Sequence, residues 1–394
     1  MPTYTVVESI ATGNPPLRKS QEFAAGFMGR VEGMSEPLKK RIPLIYERSG
    51  IDFRYSCIED YGREPQDFDF FPKSWSLKPA PSTARRNQKY RESIIPLAER
   101  VAADALLQAG VGPQEVTHVV VASCTGFFAP GLDIELVKRL GLPASTQRTF
   151  VGFMGCYAAF NALRVAHAFC QARSDARVLV VCAELCTLHF QVEDTMESAV
   201  VNAIFSDGAA AAVLAARSET EAEGKLAYAD THAVLDDDSM GDMTWELGDT
   251  GFMMGLSSRV PSVIAKNLPA YLDTLLSGND LDLGDVDFWA IHPGGRAIVE
   301  KARDVLGLPS SAVHDSLEVL RLHGNMSSPT ILFVLKRFLD RHRQSGYNGH
   351  VGLKNGVALA FGPGLTLEGA LLRRAPFYVS AESIGPSRSA LALE

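Results

Sequence analysis

An internal duplication constrains the fold of this chain more than any other feature of its sequence. The apolar segment HVVVASCTG (118–126) is followed by a helix-like stretch and then by LGLPAS (140–145). The apolar segment VDFWAIHPGG (286–295) is followed by RAIVEKARDV and then by LGLPSS (306–311). After each LGLP, a glycine leads into an apolar helix, Gly155 in the first copy and Gly324 in the second. Self-similarity of this kind indicates two copies of one supersecondary unit.

Each copy has the order strand, helix, strand, helix, strand, which is typical of βαβ units and a mostly parallel sheet. We expect both copies to close with a strand, a turn and a strand, over residues 203–216 and 358–372. The duplication places Cys156 and Asn325 at equivalent helix N-termini. It places His292 at the carboxyl end of a strand, where open α/β sheets have their sites. The alternative is that LGLP is only a common helix stop, but four features recur in the same order.

The boundaries of the two halves follow from the repeat. A chain of 394 residues is long for one compact core and is expected to form two lobes of similar size. The predicted halves are residues 1–220 and 221–378, and residues 379–394 are expected to be a frayed tail. Residues 60–92 are rich in proline and charge, and we expect an irregular loop there before a helix near 93–108.

Charge and composition exclude several classes of protein. The formal net charge of -8 argues against wholesale nucleic-acid binding, which needs a basic face. The chain does not begin with a basic segment followed by an apolar run, and no stretch approaches the roughly 18 apolar residues of a membrane helix. We therefore expect a cytoplasmic protein without a membrane span. Six scattered cysteines without a CxxC or HxxxH pair favour reduced thiols over disulfides or a metal site.

Three residues that are far apart in the sequence have side chains suited to one reaction. Cys156 begins an apolar helix, where the helix dipole is expected to lower the pKa of its thiol below about 8.5 and make it a nucleophile. His292 ends an apolar strand just before a turn and can pair with a thiolate. The amide of Asn325 can donate to a carbonyl oxygen on which negative charge develops. The alternatives are a small packed side chain for Cys156 and a helix N-cap for Asn325.

A thiol that accepts an acyl group, beside two neutral hydrogen-bond donors, suits decarboxylative Claisen condensation. The donors stabilise the enolate that remains when a malonyl unit loses carbon dioxide, and the enolate then attacks the acyl group on the cysteine. An aspartate in place of Asn325 would disfavour the enolate electrostatically. Cys156, His292 and Asn325 are therefore the predicted catalytic residues.

Four segments resemble the type III polyketide synthases, the chalcone and stilbene synthase family: VGFMGCYAAFNALR, WAIHPGG, GNMSSPT and AFGPGLTLEGALL. The resemblance implies a thiolase fold, an α/β fold of duplicated βαβ halves in a five-layered αβαβα arrangement. It implies a homodimer that uses acyl-CoA and malonyl-CoA, with no acyl carrier protein and no permanently bound cofactor. It also implies that Cys156 accepts the acyl group, while His292 and Asn325 hold the malonyl thioester carbonyl.

The resemblance further implies residues that line a substrate cavity. Phe205 is similar to the family's gatekeeper phenylalanine, and Met254 stands where a second gatekeeper phenylalanine is usual. Trp245 replaces a usually small cavity residue, Ala129 replaces a methionine of the plant members, and Cys124 resembles the bacterial members. The other residues expected to bind substrate are Thr125, Ser327, Phe361, Gly362 and Pro363, and those expected to bind the coenzyme A phosphates are Arg41 and Arg48.

A methionine gate is flexible. We therefore expect a fatty acyl-CoA starter that is extended two or three times with malonyl-CoA to an alkylpyrone or alkylresorcinol. Trp245 fills volume, so a smaller starter is the alternative.

Three other functions compete with this interpretation. The ketoacyl synthase that initiates fatty acid synthesis has the same fold and a Cys-His-Asn set, but it usually has glutamine and alanine where this chain has Pro293 and Gly294. A cysteine hydrolase with the order Cys, His, Asn would require a different architecture. A protein that binds acyl thioesters without catalysis is the third alternative, and the presence of all three reactive residues speaks against it.

Overall fold

The computed structural model describes residues 3–344 and 354–376. Its strands are β1 (Tyr4–Gly13), β2 (Leu17–Ser20), β3 (Phe53–Ser56), β4 (His118–Ser123), β5 (Gln147–Gly152), β6 (Arg177–Leu185), β7 (Asp207–Arg217), β8 (Leu226–Leu235), β9 (Met243–Gly248), β10 (Gly251–Leu256), β11 (Phe288–Ile291), β12 (Asn355–Gly362) and β13 (Thr366–Arg374). Its α-helices are α1 (Gln21–Arg30), α2 (Glu36–Lys39), α3 (Ile42–Arg48), α4 (Thr83–Ala109), α5 (Leu132–Arg139), α6 (Ala158–Ala172), α7 (Met196–Ile204), α8 (Glu219–Ala222), α9 (Val260–Ser277), α10 (Arg296–Val305), α11 (His314–His323) and α12 (Thr330–Gln344).

The main sheet shows the duplication directly. Its strand order is β11-β12-β13-β8-β1-β7-β6-β4-β5. In the first half, β4 is parallel to β6, whereas β7 is antiparallel to both β6 and β1. In the second half, β11 is parallel to β12, whereas β13 is antiparallel to both β12 and β8. The two halves therefore repeat one four-stranded pattern, to which the first half adds β5.

Helices cover both faces of each half-sheet. Alternation along β4 places Val119 and Val121 in the same core as α4, whereas Val120 and Ala122 face the core that contains α6. Helix α12 shares that inner core with α6, and α9 and α10 cover the outer face of the second half-sheet. The layers are α4, first half-sheet, α6 with α12, second half-sheet, and α9 with α10. This is the expected αβαβα arrangement.

Two local predictions were wrong. Helix α4 begins at Thr83, about ten residues earlier than expected, because the hydroxyl of Ser82 accepts from the N–H of Arg85 and caps the helix. In the first copy, residues 203–204 end α7 and a single long strand follows, whereas the second copy has the predicted strand, turn and strand as β12 and β13. The predicted boundary between residues 220 and 221 falls in α8 and stays a prediction. The predicted tail, 379–394, lies outside the described residues.

Candidate active site

Cys156 lies in a single 3₁₀ turn, Gly155–Tyr157, that leads directly into α6. It is 7% exposed. The backbone of Gly155 has a φ of +71°, and a β-carbon there would lie 2.5 Å from Cδ of Pro363. Glycine at this position therefore allows the loop after β12 to lie against the turn that carries the thiol.

The main chain of Asn325 is fixed by the end of α7. Its N–H donates to the carbonyl of Ile204 at 3.0 Å, and its own carbonyl accepts from the N–H of Ser206 at 2.9 Å. Both bonds flank Phe205, the C-cap residue of α7. The predicted gatekeeper and the predicted amide donor are therefore neighbours in space.

The side chain of Asn325 points to the thiol. Its Nδ2 lies 4.0 Å from Sγ of Cys156 and donates to the carbonyl of Gly294 at 3.1 Å. Its Oδ1 accepts from the N–H of Ser327 at 2.8 Å. Because α12 begins only at Thr330, Asn325 is not the N-cap of that helix.

His292 follows the last residue of β11 directly, as predicted. Its N–H donates to the carbonyl of Leu359 at 2.8 Å, and its carbonyl accepts from the N–H of Gly294 at 2.9 Å. The side chain is 1% exposed, and neither ring nitrogen has a hydrogen-bond partner within residues 3–344 and 354–376. Since the carbonyl of Gly294 also holds the amide of Asn325, one turn connects both side chains.

Burial keeps both reactive groups neutral at pH 7. Burial raises the pKa of the Cys156 thiol to about 11, and hydrogen bonds from Ser327 and Asn325 offset only part of this effect. Burial lowers the pKa of the His292 imidazole to about 3. The expected lowering of the thiol pKa is therefore wrong, because the loss of hydration outweighs the helix dipole. The nucleophile must lose a proton as substrate arrives.

Two adjoining cavities surround the predicted substrate site. The smaller cavity, about 20 Å³, is lined by Cys124, Thr125, Gly155, Cys156, Cys186, Phe205, Trp245, Met254, Ser327 and Pro363. The larger cavity is about 310 Å³ and lies between α1, β3, α7 and the β9–β10 hairpin. The side chains that line both are Cys186, Phe205, Trp245 and Met254. These four therefore separate the thiol from the larger space.

Trp245 and Met254 face each other across the β9–β10 hairpin. The indole N–H of Trp245 donates to the carbonyl of Cys124 at 2.8 Å. Trp245 is partly buried, and an indole N–H removed from water usually finds such a partner. The bond fixes the ring beside the loop after β4.

His189 holds the same hairpin in place, and sequence reasoning missed it. Its Nδ1 accepts from the N–H of Phe252 at 3.0 Å, which leaves Nε2 to donate to the carbonyl of Thr125 at 2.7 Å. Its ring also stacks on the ring of Phe252, with 4.2 Å between centroids. Burial lowers the pKa of His189 to about 3, so the ring is neutral. The sequence feature that could have revealed this residue is its position shortly after a buried strand.

Glu184 is a second residue that sequence reasoning missed. It is fully buried in β6, where its carboxylate accepts from the N–H of Cys124 at 2.8 Å and from the hydroxyls of Thr125 at 2.7 Å and Ser328 at 2.6 Å. Burial raises its pKa to about 7, although these hydrogen bonds act in the opposite direction. The sequence feature that could have revealed it is a single acidic residue within an apolar strand, because a buried carboxyl group must be hydrogen-bonded.

The remaining predicted residues divide into two groups. Ser327, with a φ of +60°, and Pro363 line the smaller cavity, and a β-carbon on Gly362 would lie 2.5 Å from the ring of Tyr157. Phe361 is elsewhere: it is buried in the core beneath α9 and α10 and lines neither cavity. Its position in β12 turns it away from the thiol.

Arg41 and Arg48, the residues expected to bind coenzyme A, lie at the two ends of α3. Both are exposed, and neither lines a cavity. Arg41 contacts Met196 at the start of α7, with 3.8 Å between Nη1 and Sδ.

Within the described ranges, no group of three or more His, Cys, Asp and Glu side chains is arranged to hold a metal ion. Over the same residues, no helix combines the length and apolar character needed to cross a membrane.

Two family profiles match the chain in succession. The profile described as "Chalcone and stilbene synthases, N-terminal domain" matches residues 34–218, and the corresponding C-terminal profile matches residues 227–376. A curated relative, "Alpha-pyrone synthesis polyketide synthase-like Pks18" of Mycobacterium tuberculosis, is 33% identical over 94% of this chain and 91% of its own length. "Polyketide synthase 37" of Dictyostelium discoideum is 31% identical over 86% of this chain but only 11% of its own length.

Solved structures agree with the sequence relatives. PKS-I from the brown alga Ectocarpus siliculosus superposes with a TM-score of 0.90 and 38% identity, over 95% of this chain and 99% of that one. The C-terminal type III polyketide synthase domain of Steely1, a type I/III hybrid from Dictyostelium, gives a TM-score of 0.84 and 26% identity, over 95% and 100%. The chain thus belongs to the chalcone and stilbene synthase family, and it is a type III polyketide synthase, an acyltransferase that depends on malonyl-CoA and has the thiolase fold.

Proposed function

We propose that this polyketide synthase condenses malonyl-CoA two or three times onto a fatty acyl-CoA starter and releases an alkylpyrone or alkylresorcinol. Cys156 carries the growing acyl chain, and His292 and Asn325 bind the malonyl thioester carbonyl. Both substrates enter as coenzyme A thioesters, with their phosphates at Arg41 and Arg48. No acyl carrier protein and no permanently bound cofactor takes part.

The first step loads the starter. His292 accepts the thiol proton, the sulfur of Cys156 attacks the thioester carbonyl, and the bond between that carbon and the sulfur of coenzyme A breaks. Coenzyme A leaves with the proton. The ring nitrogens of His292 have no partner among the described residues. Because burial lowers the pKa of the imidazole to about 3, it accepts the proton only as an ion pair with the thiolate.

The second step extends the chain. The carbon–carbon bond to the malonyl carboxylate breaks, carbon dioxide leaves, and the electron pair passes to the thioester oxygen held by His292 and Asn325. The resulting enolate carbon attacks the acyl group on Cys156, and the bond to the cysteine sulfur breaks. The ketoacyl product then lies on coenzyme A, ready to reload. Two neutral donors suit this step because no carboxylate among them repels the enolate.

The choice of a fatty acyl starter depends on the cavity of about 310 Å³. A water-sized group occupies about 30 Å³ of packed space, so the cavity admits roughly ten such groups. Its wall includes the apolar side chains Phe23, Phe27, Met28, Val201 and Phe252. Burial of each methylene against such a wall contributes about 0.8 kcal/mol. An alkyl chain therefore fits in the cavity, and burial of its methylenes there favours binding.

The choice of a pyrone is supported by a relative. Pks18, 33% identical to this chain, is named for alpha-pyrone synthesis. The space of about 20 Å³ beside Cys156 instead favours a small starter, unless the side chains of Trp245 and Met254 turn aside.

A panel of acyl-CoA starters tests the proposal. Acetyl-CoA through long-chain acyl-CoA are each incubated with malonyl-CoA and no carrier protein, and the products are identified by mass spectrometry. We expect kcat/KM to rise with chain length, by at most about fourfold per methylene. Acetyl-CoA as the best starter would contradict the fatty acyl assignment, and a requirement for a carrier protein would support the ketoacyl synthase. Absence of both product and carbon dioxide would support an inactive binding protein.

The family's homodimer is also proposed for this chain. Aromatic side chains remain exposed near the edge of the first half-sheet, at Phe127 (49%), Phe150 (41%) and Phe153 (40%), beside Met154 (39%). A cluster of exposed apolar side chains marks an interaction surface. Sedimentation equilibrium should give twice the mass of the chain, and a monomer at micromolar concentration would contradict the assignment.

A further inference from the structure

The end of helix α7 is held by donors from three distant parts of the chain. Gln21 donates from α1 to the carbonyl of Ala203 at 2.7 Å. Arg54 donates from β3 to the carbonyls of Asn202 at 2.5 Å and Phe205 at 3.0 Å. The carbonyl of Ile204, between them, accepts from the N–H of Asn325. The last four carbonyls of a helix have no partner within the helix and must bind side chains, water or other groups. Here the carbonyls of residues 202–205 bind Gln21, Arg54 and Asn325 instead, and these hydrogen bonds connect α7 to the active site. We call this set of hydrogen bonds the α7 joint.

Arg54 carries the only charge among the donors of this joint. Its guanidinium lies 5.4 Å from the centre of the Tyr46 ring. Within residues 3–344 and 354–376, no carboxylate forms an ion pair with Arg54. The negative end of the α7 dipole takes the place of a carboxylate, an arrangement that favours a cation at a helix C-terminus. Since Arg54 is only partly buried, its contribution is geometric rather than a large electrostatic one.

The stem of Arg54 also touches the segment that carries Asn325. A β-carbon on Gly324 would lie 3.2 Å from Cγ of Arg54 and 3.0 Å from Cβ of Ser206. The φ of Gly324 is +71°, so this residue turns the chain sharply just before Asn325. Arg54 therefore contacts the segments on both sides of Asn325: the end of α7, through its carbonyls, and the turn at Gly324, through the stem of its side chain.

We propose that Arg54 is a positioning residue for malonyl decarboxylation, which sets the main chain that presents the amide of Asn325 and the ring of Phe205. This inference rests on the proposed function. Groups that bind a transition state must be held within about 0.5 Å of their working positions. A displacement of about 1 Å can cost about 100-fold in rate. In the loading of Cys156 the amide of Asn325 only offsets part of the raised pKa of the thiol, so this step should depend much less on Arg54.

The test compares the two half-reactions in Arg54→Met, a variant that keeps the length of the stem and removes the donors. Release of labelled carbon dioxide from malonyl-CoA reports decarboxylation, and intact-protein mass spectrometry reports acylation of Cys156 at saturating starter. We expect kcat for decarboxylation to fall by about 10- to 100-fold, with acylation within about twofold of the parent rate. Arg54→Lys, which keeps the charge and a donor, should recover part of the loss.

Arg177→Met is the matched control. Arg177 also donates from one nitrogen to two main-chain carbonyls, those of Ala176 at 2.9 Å and Ala216 at 3.3 Å, but it lies at the start of β6. Its ratio of decarboxylation to acylation should equal that of the parent enzyme.

Several outcomes would overturn the inference. Equal losses in both half-reactions would mean that Arg54 only stabilises the fold. A higher KM for the starter with normal decarboxylation would mean that Arg54 only lines the larger cavity. If Arg54→Met does not fold, the ratio of decarboxylation to acylation in Arg54→Lys decides. A ratio equal to that of the parent enzyme overturns this inference but leaves the proposed function intact. A parent enzyme with neither activity would overturn the proposed function and the inference with it.

Discussion

Cys156→Ala should remove every acyl adduct from the protein and leave malonyl-CoA decarboxylation largely intact. The acyl group can form a thioester only with the sulfur, which the alanine lacks. The enolate is stabilised by His292 and Asn325, whose main chains are fixed by Leu359, Ile204 and Ser206 rather than by the thiol. Polyketide formation should fall to the detection limit, because the loss of a covalent nucleophile costs about 10⁶-fold in a well-studied hydrolase.

Intact-protein mass spectrometry after incubation with the starter measures this loss, and trapped carbon dioxide measures decarboxylation. Cys170→Ala is the control, since Cys170 is fully buried in the inner core and lines neither cavity. It should load like the parent enzyme. An unchanged adduct on Cys156→Ala would refute the assignment of the nucleophile and direct attention to Cys124 or Cys186, which line the same small cavity.

The two βαβ halves could be predicted from the sequence because duplication leaves a local record, whereas the five-layered arrangement was implied by the family resemblance. Each copy contains an apolar strand, an LGLP turn and a glycine before an apolar helix, and all three are short-range patterns. For this reason the sequence was enough to predict Cys156 before α6 and His292 after β11. The proximity of Cys156 and Asn325 followed from the equivalence of the two copies.

Properties that depend on packing could not be predicted in this way. The pKa of Cys156 depends on how completely the fold removes the thiol from water, and no local pattern reports this. The first turns of α4 are polar, so they lack the apolar periodicity that marks a helix. Phe361 was assigned to the cavity from the motif around it, but alternation along β12 turns its side chain into the core. The buried polar groups were missed because their partners are distant in the sequence.

The buried polar residues that the sequence did not reveal have one role in common: each fixes main chain close to the substrate cavities. Glu184 holds the loop after β4, His189 holds the β9–β10 hairpin, and Arg54 holds the end of α7. Each is hydrogen-bonded to main-chain groups next to a side chain that lines a cavity. A family motif reveals the residues that meet the substrate, whereas the residues that fix their main chain become visible only in three dimensions.

Asn325→Asp should reduce malonyl decarboxylation by about 100- to 1000-fold, the cost of losing one donor of an oxyanion site. Nδ2 of Asn325 donates to the carbonyl of Gly294 and lies 4.0 Å from Sγ of Cys156. A carboxylate oxygen at that point would face another oxygen and repel the enolate. Loading of Cys156 should be affected much less, since in that step the amide only offsets part of the raised pKa of the thiol.

Asn325→Ala separates the lost donor from the added charge. The alanine removes the amide without placing an anion beside the enolate, so decarboxylation by Asn325→Ala should be faster than by Asn325→Asp at pH 7. As the pH falls and the new carboxyl group is protonated, the rate of Asn325→Asp should rise to that of Asn325→Ala or above it, because the neutral carboxyl no longer repels the enolate and can again donate a hydrogen bond. Equal rates for the two variants at every pH would show that charge at this position does not matter. A parent-like rate in either variant would remove Asn325 from the pair that holds the thioester carbonyl.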